Sequence, residues 1–268
     1  MAPVTDPWLL GGTLHRVPRQ PATSSSFRAT LARSVGLLRD FRHEQDDPAR
    51  FYGSLARDSA VQLASFAPLD GALLLDVGGG PGYFRDAFTA RGATYLALDA
   101  DVGELTGLGR AASGTVIGSG MALPFRDACL DVCYSSNVLE HVPDPWLMAD
   151  EMVRVTRPGG LVFLSYTLWW GPWGGHETSP WHYLGGGRAR RRYAREHGHE
   201  PKNRFGESLF AVTAAAGRRW AASRAGRGDV EVVAVLPRYH PRWAWWVARV
   251  PVLGELVTWN LVLVVRRR

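Results

Sequence analysis

The stretch "LLLDVGGGPGYF", residues 73–84, decides the fold of this chain. The apolar residues 72–75 form a short run without helical spacing, bounded by glycines, and therefore predict a buried strand. Gly78, Gly80 and Gly82 predict a tight turn at the end of this strand. Glycine adopts positive φ easily and has no Cβ, so such a turn allows a ligand to approach the main chain closely.

A helix is predicted directly after the glycine turn. Pro81 suits the first turn of a helix, and Phe84, Ala87 and Phe88 recur at helical spacing. The N-terminus of that helix would offer free N–H groups and the positive end of the helix dipole. A strand, a glycine turn and a helix N-terminus together predict a site for a polar or anionic ligand.

The glycine spacing does not fit the dinucleotide fingerprint G-x-G-x-x-G. Counted from Gly78, the third glycine is replaced by Tyr83, and counted from Gly80 it is replaced by Arg85. The order of an acidic residue, Asp76, followed by G-x-G-x-G instead resembles motif I of the class I S-adenosylmethionine (SAM) dependent methyltransferases. A single glycine motif is weak evidence, so this resemblance needs further matches along the chain.

Further matches to this family follow in order. The run "TYLAL" (94–98) ends at Asp99, whose carboxylate has two acceptor oxygens for the hydroxyls of a ribose. The segments "GSGMALPF" (118–125), "LDVCYSSNVLEHV" (130–142) and "RVTRPGGLVFLSY" (154–166) resemble the family's adenine-pocket segment, its fourth strand and the turn before its fifth. This resemblance is to the small-molecule and lipid group that includes the ubiquinone and menaquinone methyltransferases.

The resemblance implies SAM as cofactor and a role for each matched residue. Asp76 lies near the methionine end, Asp99 takes the ribose, and Asn137 lies beside the transferred methyl group. Ser119 stands where the family usually has an aspartate for the adenine amino group, so backbone groups near it are expected to hold part of the adenine. The complete set of expected cofactor residues is Asp76, Gly78, Gly80, Gly82, Asp99, Ser119, Gly120, Met121 and Asn137.

The expected fold is a Rossmann-like α/β sheet of seven mostly parallel strands with helices on both faces. Short apolar runs alternate with helical segments over residues 72–167, and two last strands are expected at 229–239 and 260–268, the final one antiparallel. The expected organisation is a mobile tail (1–26), N-terminal helices at about 27–43 and 48–66 within a lid unit (27–70), a SAM-binding core (71–167), a substrate-pocket insertion (168–229) and C-terminal strands with a Trp-rich helical segment (230–268). Within the lid unit, Tyr52 is expected either to cover the cofactor or to pack on the core.

Three histidines are candidates for acid–base chemistry on the acceptor side. His141 follows the fourth strand, and His176 and His182 flank a Trp- and Gly-rich stretch; neutral imidazole is a competent base near pH 7. The alternative role of His141 is to cap or brace the following helix. No metal site is predicted, since the pair His197 and His199 lacks an accompanying carboxylate pattern.

Composition limits location and partners. The net charge is +6, and all basic residues but Lys202 are arginine, five of them within 188–195. Two cysteines, the absence of a basic, apolar leader and no long apolar run favour a cytoplasmic protein. Three tryptophans in four residues, with arginines nearby, make segment 240–259 either a peripheral contact with the inner membrane surface or a hairpin packed on the sheet.

The preferred function is O- or C-methylation of a small amphiphilic, glycosylated or lipid-linked acceptor. Strand four lacks the N-P-P-Y motif of amino-group methylation on bases, and no Pro-Cys pair offers the nucleophile of cytosine C5 methylation. Nucleic acid is therefore not the expected partner. The alternatives are an RNA methyltransferase that uses the Arg188–Arg195 cluster as a phosphate track, and a SAM-binding protein without catalysis.

Overall fold

The computed structural model describes residues 27–43, 46–105 and 114–268, without the side chains of residues 104 and 105. The predicted tail, 1–26, lies outside the described residues. The helices are α1 (Leu31–Phe41), α2 (Pro48–Ala64), α3 (Arg85–Thr89), α4 (Val102–Leu105), α5 (Pro145–Val155), α6 (Gly186–His197), α7 (Ala214–Gly226) and α8 (Leu253–Val257). The strands are β1 (Leu73–Val77), β2 (Thr94–Asp99), β3 (Thr115–Ile117), β4 (Leu130–Ser136), β5 (Thr156–Thr167), β6 (Val230–Pro237) and β7 (Asn260–Arg267).

All seven strands form one sheet in the order β3-β2-β1-β4-β5-β7-β6. Strands β1 to β5 are parallel, and β7 pairs antiparallel with both β5 and β6. The predicted fold class is confirmed. Because β7 is reversed, the carboxyl ends of β1, β2, β4, β5 and β6 meet the start of β7 at one edge of the sheet, here called the carboxyl edge. The chain order reverses between β1 and β4, where sheets of this kind bind ligands.

Helices cover both faces of the sheet, as predicted. On one face, Phe51 and Leu55 of α2 and Phe88 of α3 pack into a core with Tyr134 of β4. The opposite face holds a second core that α5 and α7 cover, with buried residues such as Met148, Met152, Trp220 and Ala221. Burial of apolar side chains on both faces explains why the strands read as continuous apolar runs instead of alternating ones.

Side-chain caps define where several helices begin. The oxygen of each capping side chain accepts a hydrogen bond from the backbone N–H three residues later, at α1, α2, α5 and α7. These caps satisfy N–H groups that have no partner within the helix. The caps are Thr30, Asp47, Asp144 and Thr213.

The prediction of a helix starting at Pro81 was wrong. Residues 79–84 form turns, and α3 begins only at Arg85. Gly82 has φ of +90°, which ends the helical geometry that Pro81 could have started. The helix is only five residues long, so its dipole is weaker than that of a long helix, and the predicted ligand contacts fall on the glycine turn.

The N-terminal helices lie over the carboxyl edge. Arg33 of α1 makes two hydrogen bonds of 2.6 Å to the carboxylate of Asp58 in α2. Phe51 is buried in the core, whereas Tyr52 stacks on Tyr83 of the glycine turn with ring centroids 4.7 Å apart. Tyr52 therefore packs beside the glycine turn, and its covering of the cofactor stays a prediction.

The segments after β5 differ in character. Within 168–229, short 3₁₀ turns and α6 project from the sheet, while α7 contacts β6 and β7 as part of the core. Within 240–259, Ala244, Val247 and Ala248 are buried and Trp243 and Trp246 are exposed. Across the described part of the chain, none of the helices has the length and apolarity needed to cross a bilayer.

Candidate active site

The glycine turn after β1 is shaped by backbone conformations that favour glycine. Gly78, Gly80 and Gly82 have φ of +79°, +49° and +90°. A Cβ on Gly78 would collide with the side chain of Val138, whereas a Cβ on Gly80 would meet no atom within 4 Å. The turn is therefore packed tightly at Gly78 and open at Gly80, where backbone can meet a ligand.

Asp99 closes the other side of this opening. Its Oδ2 accepts a hydrogen bond of 3.0 Å from the Gly80 N–H, and its Oδ1 accepts one of 3.0 Å from the Asp101 N–H. These bonds hold the carboxylate at the carboxyl end of β2 and leave further lone pairs on both oxygens. A carboxylate and an open glycine side by side fit the ribose end of a nucleoside cofactor.

The segment expected to line the adenine pocket, residues 118–125, contains a local hydrogen bond. The Ser119 hydroxyl accepts a hydrogen bond of 3.2 Å from the Met121 N–H. Gly120 lies close to Val77 and Met148, since a Cβ there would come within 3.2 Å of both. All of Ser119, Gly120 and Met121 are partly exposed. These residues can present backbone groups and an apolar thioether to a ring, which fits the expected adenine pocket.

Asp76 is buried in β1, and its environment disfavours charge. Its Oδ2 accepts a hydrogen bond of 2.7 Å from the hydroxyl of Tyr95. Burial raises the pKa of the Asp76 carboxyl to about 7, against the opposing effects of the Tyr95 hydroxyl and of the Arg238 charge. A cationic group placed beside Asp76 would favour its ionised form. Asp76 is thus only partly charged near neutral pH.

Asn137 lies at the exit of β4 and is held from two sides. It has φ of +57°, and its N–H donates to the Ser165 carbonyl at 2.8 Å. Its Oδ1 accepts a hydrogen bond of 2.6 Å from the side-chain amide of Asn260 in β7. These contacts hold Asn137 in a strained backbone conformation. Strained residues of this kind are common at functional sites.

Arg238, directly after β6, is a buried cation that sequence analysis did not identify. It is 1% exposed, and its guanidinium donates to the hydroxyls of four residues at distances of 2.5–3.0 Å: Ser59, Tyr134, Ser136 and Ser165. Among the described residues, no carboxylate forms an ion pair with Arg238. The nearby Asp58 is paired with Arg33 instead. A charged residue directly after an apolar strand was the only sequence signal available.

The structure brings two of the three candidate histidines together. The rings of His141 and His176 lie 5.0 Å apart, edge to face. His141 Nδ1 lies 2.8 Å from the Ser208 carbonyl; since a carbonyl only accepts, this contact assigns the proton to Nδ1 and the lone pair to Nε2. Burial lowers the pKa of His176 to about 4, so its imidazole is neutral at pH 7.

Glu140, next to His141, completes this cluster and was not among the predicted site residues. It is buried, and its Oε1 accepts a hydrogen bond of 3.0 Å from the Thr167 N–H. His182 is buried and packs on Trp169, with the two ring centroids 5.3 Å apart. Burial lowers its pKa. Of the described ring contacts of His182, none is with His141.

Several known proteins are similar to this chain in sequence or in fold. Residues 75–164 match the methyltransferase domain family. An uncharacterized methyltransferase of Mycobacterium marinum is 55% identical over 90% of this chain and 96% of its own length, and one of Mycobacterium tuberculosis is 56% identical over 88% and 95%. The crystal structure of a SAM-dependent methyltransferase from Mesorhizobium loti, with 19% identity, covers 79% of this chain and 98% of its own, with a TM-score of 0.53. The extent of this similarity shows that the chain belongs to the methyltransferase domain family, and its sheet has the fold of the class I SAM-dependent methyltransferases.

Proposed function

We propose that this SAM-dependent methyltransferase transfers a methyl group to an oxygen or carbon of a small amphiphilic, glycosylated or lipid-linked acceptor taken from an anionic membrane surface. One observation carries the proposal: segment 240–259 exposes large apolar side chains together with arginines. Trp243 is 72% exposed and Trp246 54%, and Arg242 and Arg249 are exposed with them. Exposed indoles together with arginines are typical of a membrane interface.

One ring contact and one backbone hydrogen bond connect Trp259, at the end of this segment, with His176. Trp259 packs edge to face on Trp173 at 6.2 Å, and the Trp173 carbonyl accepts a hydrogen bond of 2.9 Å from the His176 N–H. Trp170 and Trp173 are themselves exposed. Tryptophans thus lie between the end of this segment and His176, which suits an acceptor with an apolar part.

The chemistry needs alignment of the acceptor more than covalent help from the protein. SAM, when bound, supplies a methyl group on a sulfonium as the electrophile. We infer that Gly78, Gly80, Gly82 and Asp99 hold its ribose side and that Asn137 lies near the reacting centre. His141 Nε2, which keeps its lone pair, or the neutral imidazole of His176 would take the proton of the acceptor. The surrounding 3₁₀ turns would exclude water from the transfer.

The nucleic-acid alternative has weaker support. Arg190 of the arginine cluster on α6 pairs with Glu200 and Glu207 at 2.6 and 2.7 Å. Arg192 pairs with Glu196 at 2.6 Å and lies over the Trp181 ring. Carboxylates therefore already neutralise part of the cluster, which is not the arrangement of a phosphate track. Membership in a methyltransferase family likewise makes a non-catalytic role the weaker alternative.

Flotation with lipid vesicles tests the membrane part of the proposal. We expect the enzyme to float with phosphatidylglycerol vesicles, and the double variant Trp243→Ser/Trp246→Ser to bind roughly tenfold more weakly or worse, because the indoles lose their apolar contact. Ile117→Ser is the matched control, since Ile117 is also exposed, at 63%, but lies on β3 at one end of the sheet. Flotation that is absent, or equally reduced in the control, would remove the membrane from the proposal.

Methyl-labelled SAM then tests the acceptor class. Label transferred by the enzyme into the lipid or glycolipid fraction of a bacterial extract is the expected result. Label that concentrates in RNA, and transfer that falls steeply with salt, would instead support the arginine cluster as a phosphate track.

The cofactor positions can be tested with a matched pair of glycines. Gly80 and Gly71 both have positive φ, +49° and +68°, and a Cβ on either meets no protein atom within 4 Å. Alanine at either position should therefore cost a similar 1–2 kcal/mol or so of stability. Only Gly80→Ala should also weaken S-adenosylhomocysteine binding, by roughly tenfold to a hundredfold, because its methyl group fills the space of the cofactor. Isothermal titration measures both variants, and equal affinities would place the cofactor elsewhere.

A further inference from the structure

A cluster of three metal-ligating side chains lies on the acceptor side of the site. Glu140 and His141 belong to the 3₁₀-helix Leu139–His141, and His176 begins another at His176–Thr178. Each offers one potential ligand atom, and these atoms lie within 4.8 Å of one another. Two imidazoles and one carboxylate are a common ligand set for zinc and for non-haem iron.

Two of these side chains carry a buried polar atom without a partner. Glu140 is 1% exposed, and its Oε2 has no hydrogen-bond partner among the described residues. The Nε2 of His176 is likewise buried and unpaired there. Buried polar atoms without a partner are costly and rare in folded proteins, so each of them calls for an explanation.

The remaining polar atoms of the cluster orient it. The Oε1 of Glu140 is held by the Thr167 N–H at 3.0 Å, which directs Oε2 away from that bond. His141 Nδ1 is held by the Ser208 carbonyl at 2.8 Å, which leaves Nε2 with its lone pair. A ligating histidine in metal sites usually donates its other N–H to a carbonyl or carboxylate in this way. The cluster thus has the outer hydrogen bonds of a metal site.

We propose that Glu140, His141 and His176 bind one divalent transition-metal ion of the zinc type. Imidazole nitrogen suits zinc, iron, nickel and copper, whereas magnesium and calcium prefer oxygen ligands. Bond lengths of about 2.0–2.2 Å require the three side chains to move closer together on binding. Their positions on two short 3₁₀ turns and not on strands make a shift of about an ångström feasible.

A role in methyl transfer follows only if the proposed function is right. Three protein ligands leave a coordination position for an acceptor oxygen, whose pKa the ion would lower. The two imidazoles would then serve as ligands, and the ion would replace a free imidazole in promoting loss of the acceptor proton. Metal binding itself is independent of the acceptor and of SAM.

Titration of the full-length, chelator-treated enzyme with Co²⁺ and Zn²⁺ tests the site. We expect one equivalent of Co²⁺ to give visible d–d absorption that Zn²⁺ abolishes by competition. His176→Ala and Glu140→Gln should each weaken metal binding by about a hundredfold or more, since each removes a ligand. Glu140→Gln keeps an acceptor for the Thr167 N–H, so it remains informative if His176→Ala fails to fold.

The control variants are His197→Ala and His199→Ala. The rings of these two exposed imidazoles lie 6.2 Å apart, so an ion could bind there adventitiously. Both variants should bind Co²⁺ like the wild type. Loss of binding in the controls and not in Glu140→Gln, or no stoichiometric binding at all, would overturn the proposal. Since neither readout uses SAM, vesicles or an acceptor, either result leaves the proposed function to its own tests.

Discussion

Asp76→Asn is expected to stabilise the enzyme at pH 8 by a few kcal/mol and to change its stability little near pH 4. The folded protein holds the Asp76 pKa at about 7, above its ordinary 3.8. Between these values the folded state binds a proton that the unfolded state has released, so the free energy of unfolding falls as pH rises. Each pKa unit corresponds to about 1.4 kcal/mol. The asparagine variant lacks this fall, and its amide oxygen can still accept the Tyr95 hydroxyl.

Urea unfolding of wild type and variant at several pH values measures this difference. Tyr95→Phe serves as a companion variant: it removes a hydrogen bond that lowers the Asp76 pKa, so the fall in stability should extend to higher pH. Identical pH profiles for Asp76→Asn and wild type would show that the carboxyl is not buried as described. Weaker S-adenosylhomocysteine binding in the more stable variant would indicate that a costly buried carboxylate is retained for the cofactor.

Arg238→Ala is expected to destabilise the protein by about 3–5 kcal/mol, the range for emptying a large buried site. The guanidinium connects α2 with β4 and β5 through Ser59, Tyr134, Ser136 and Ser165. The Ser165 hydroxyl in turn donates to Asn260 Oδ1 at 2.9 Å, and Asn260 holds Asn137. Loss of the Arg238 side chain therefore leaves a cavity and removes four charge-assisted hydrogen bonds beside the proposed reacting centre.

Two further variants separate the causes. Arg238→Met keeps much of the volume and removes the charge, so it should cost less than Arg238→Ala, because an apolar side chain often replaces a buried ion at little cost. Arg249→Ala removes an exposed arginine and should change stability by no more than about 0.5 kcal/mol. If Arg238→Ala and Arg249→Ala lower the free energy of unfolding in urea by the same small amount, the buried network contributes nothing to stability.

Much of the fold was predictable from local patterns. The apolar run before Gly78, the runs that end at Asp99 and Ser136, and the two C-terminal strands each appear in the structure where the sequence places them. Such runs are informative because a parallel strand is buried on both faces. Helix starts were less predictable: Pro81 favours a helix, but the positive φ of Gly82 delays it to Arg85.

Part of the candidate site was predictable because its residues follow strands in short motifs. Asp76, the glycines, Asp99 and Asn137 each stand at the end of a strand or directly after it, so the parallel sheet brings them to one edge. Glu140 and Arg238 were not identified, since a charged residue shortly after an apolar strand is also common at protein surfaces. Their burial depends on Thr167 and on hydroxyls from α2, β4 and β5, which lie far from them in the chain.

By itself, the sequence determined that this chain forms a mostly parallel α/β sheet and carries the cofactor motifs of a class I SAM-dependent methyltransferase. These features are encoded within a few consecutive residues, in apolar runs and in glycines that allow positive φ. Only the tertiary structure decided that His176 lies beside His141 and Glu140 and that His182 packs on Trp169. It also decided that Arg238 is buried among hydroxyls. Contacts between residues distant in sequence depend on the packing of whole elements, which no local pattern specifies.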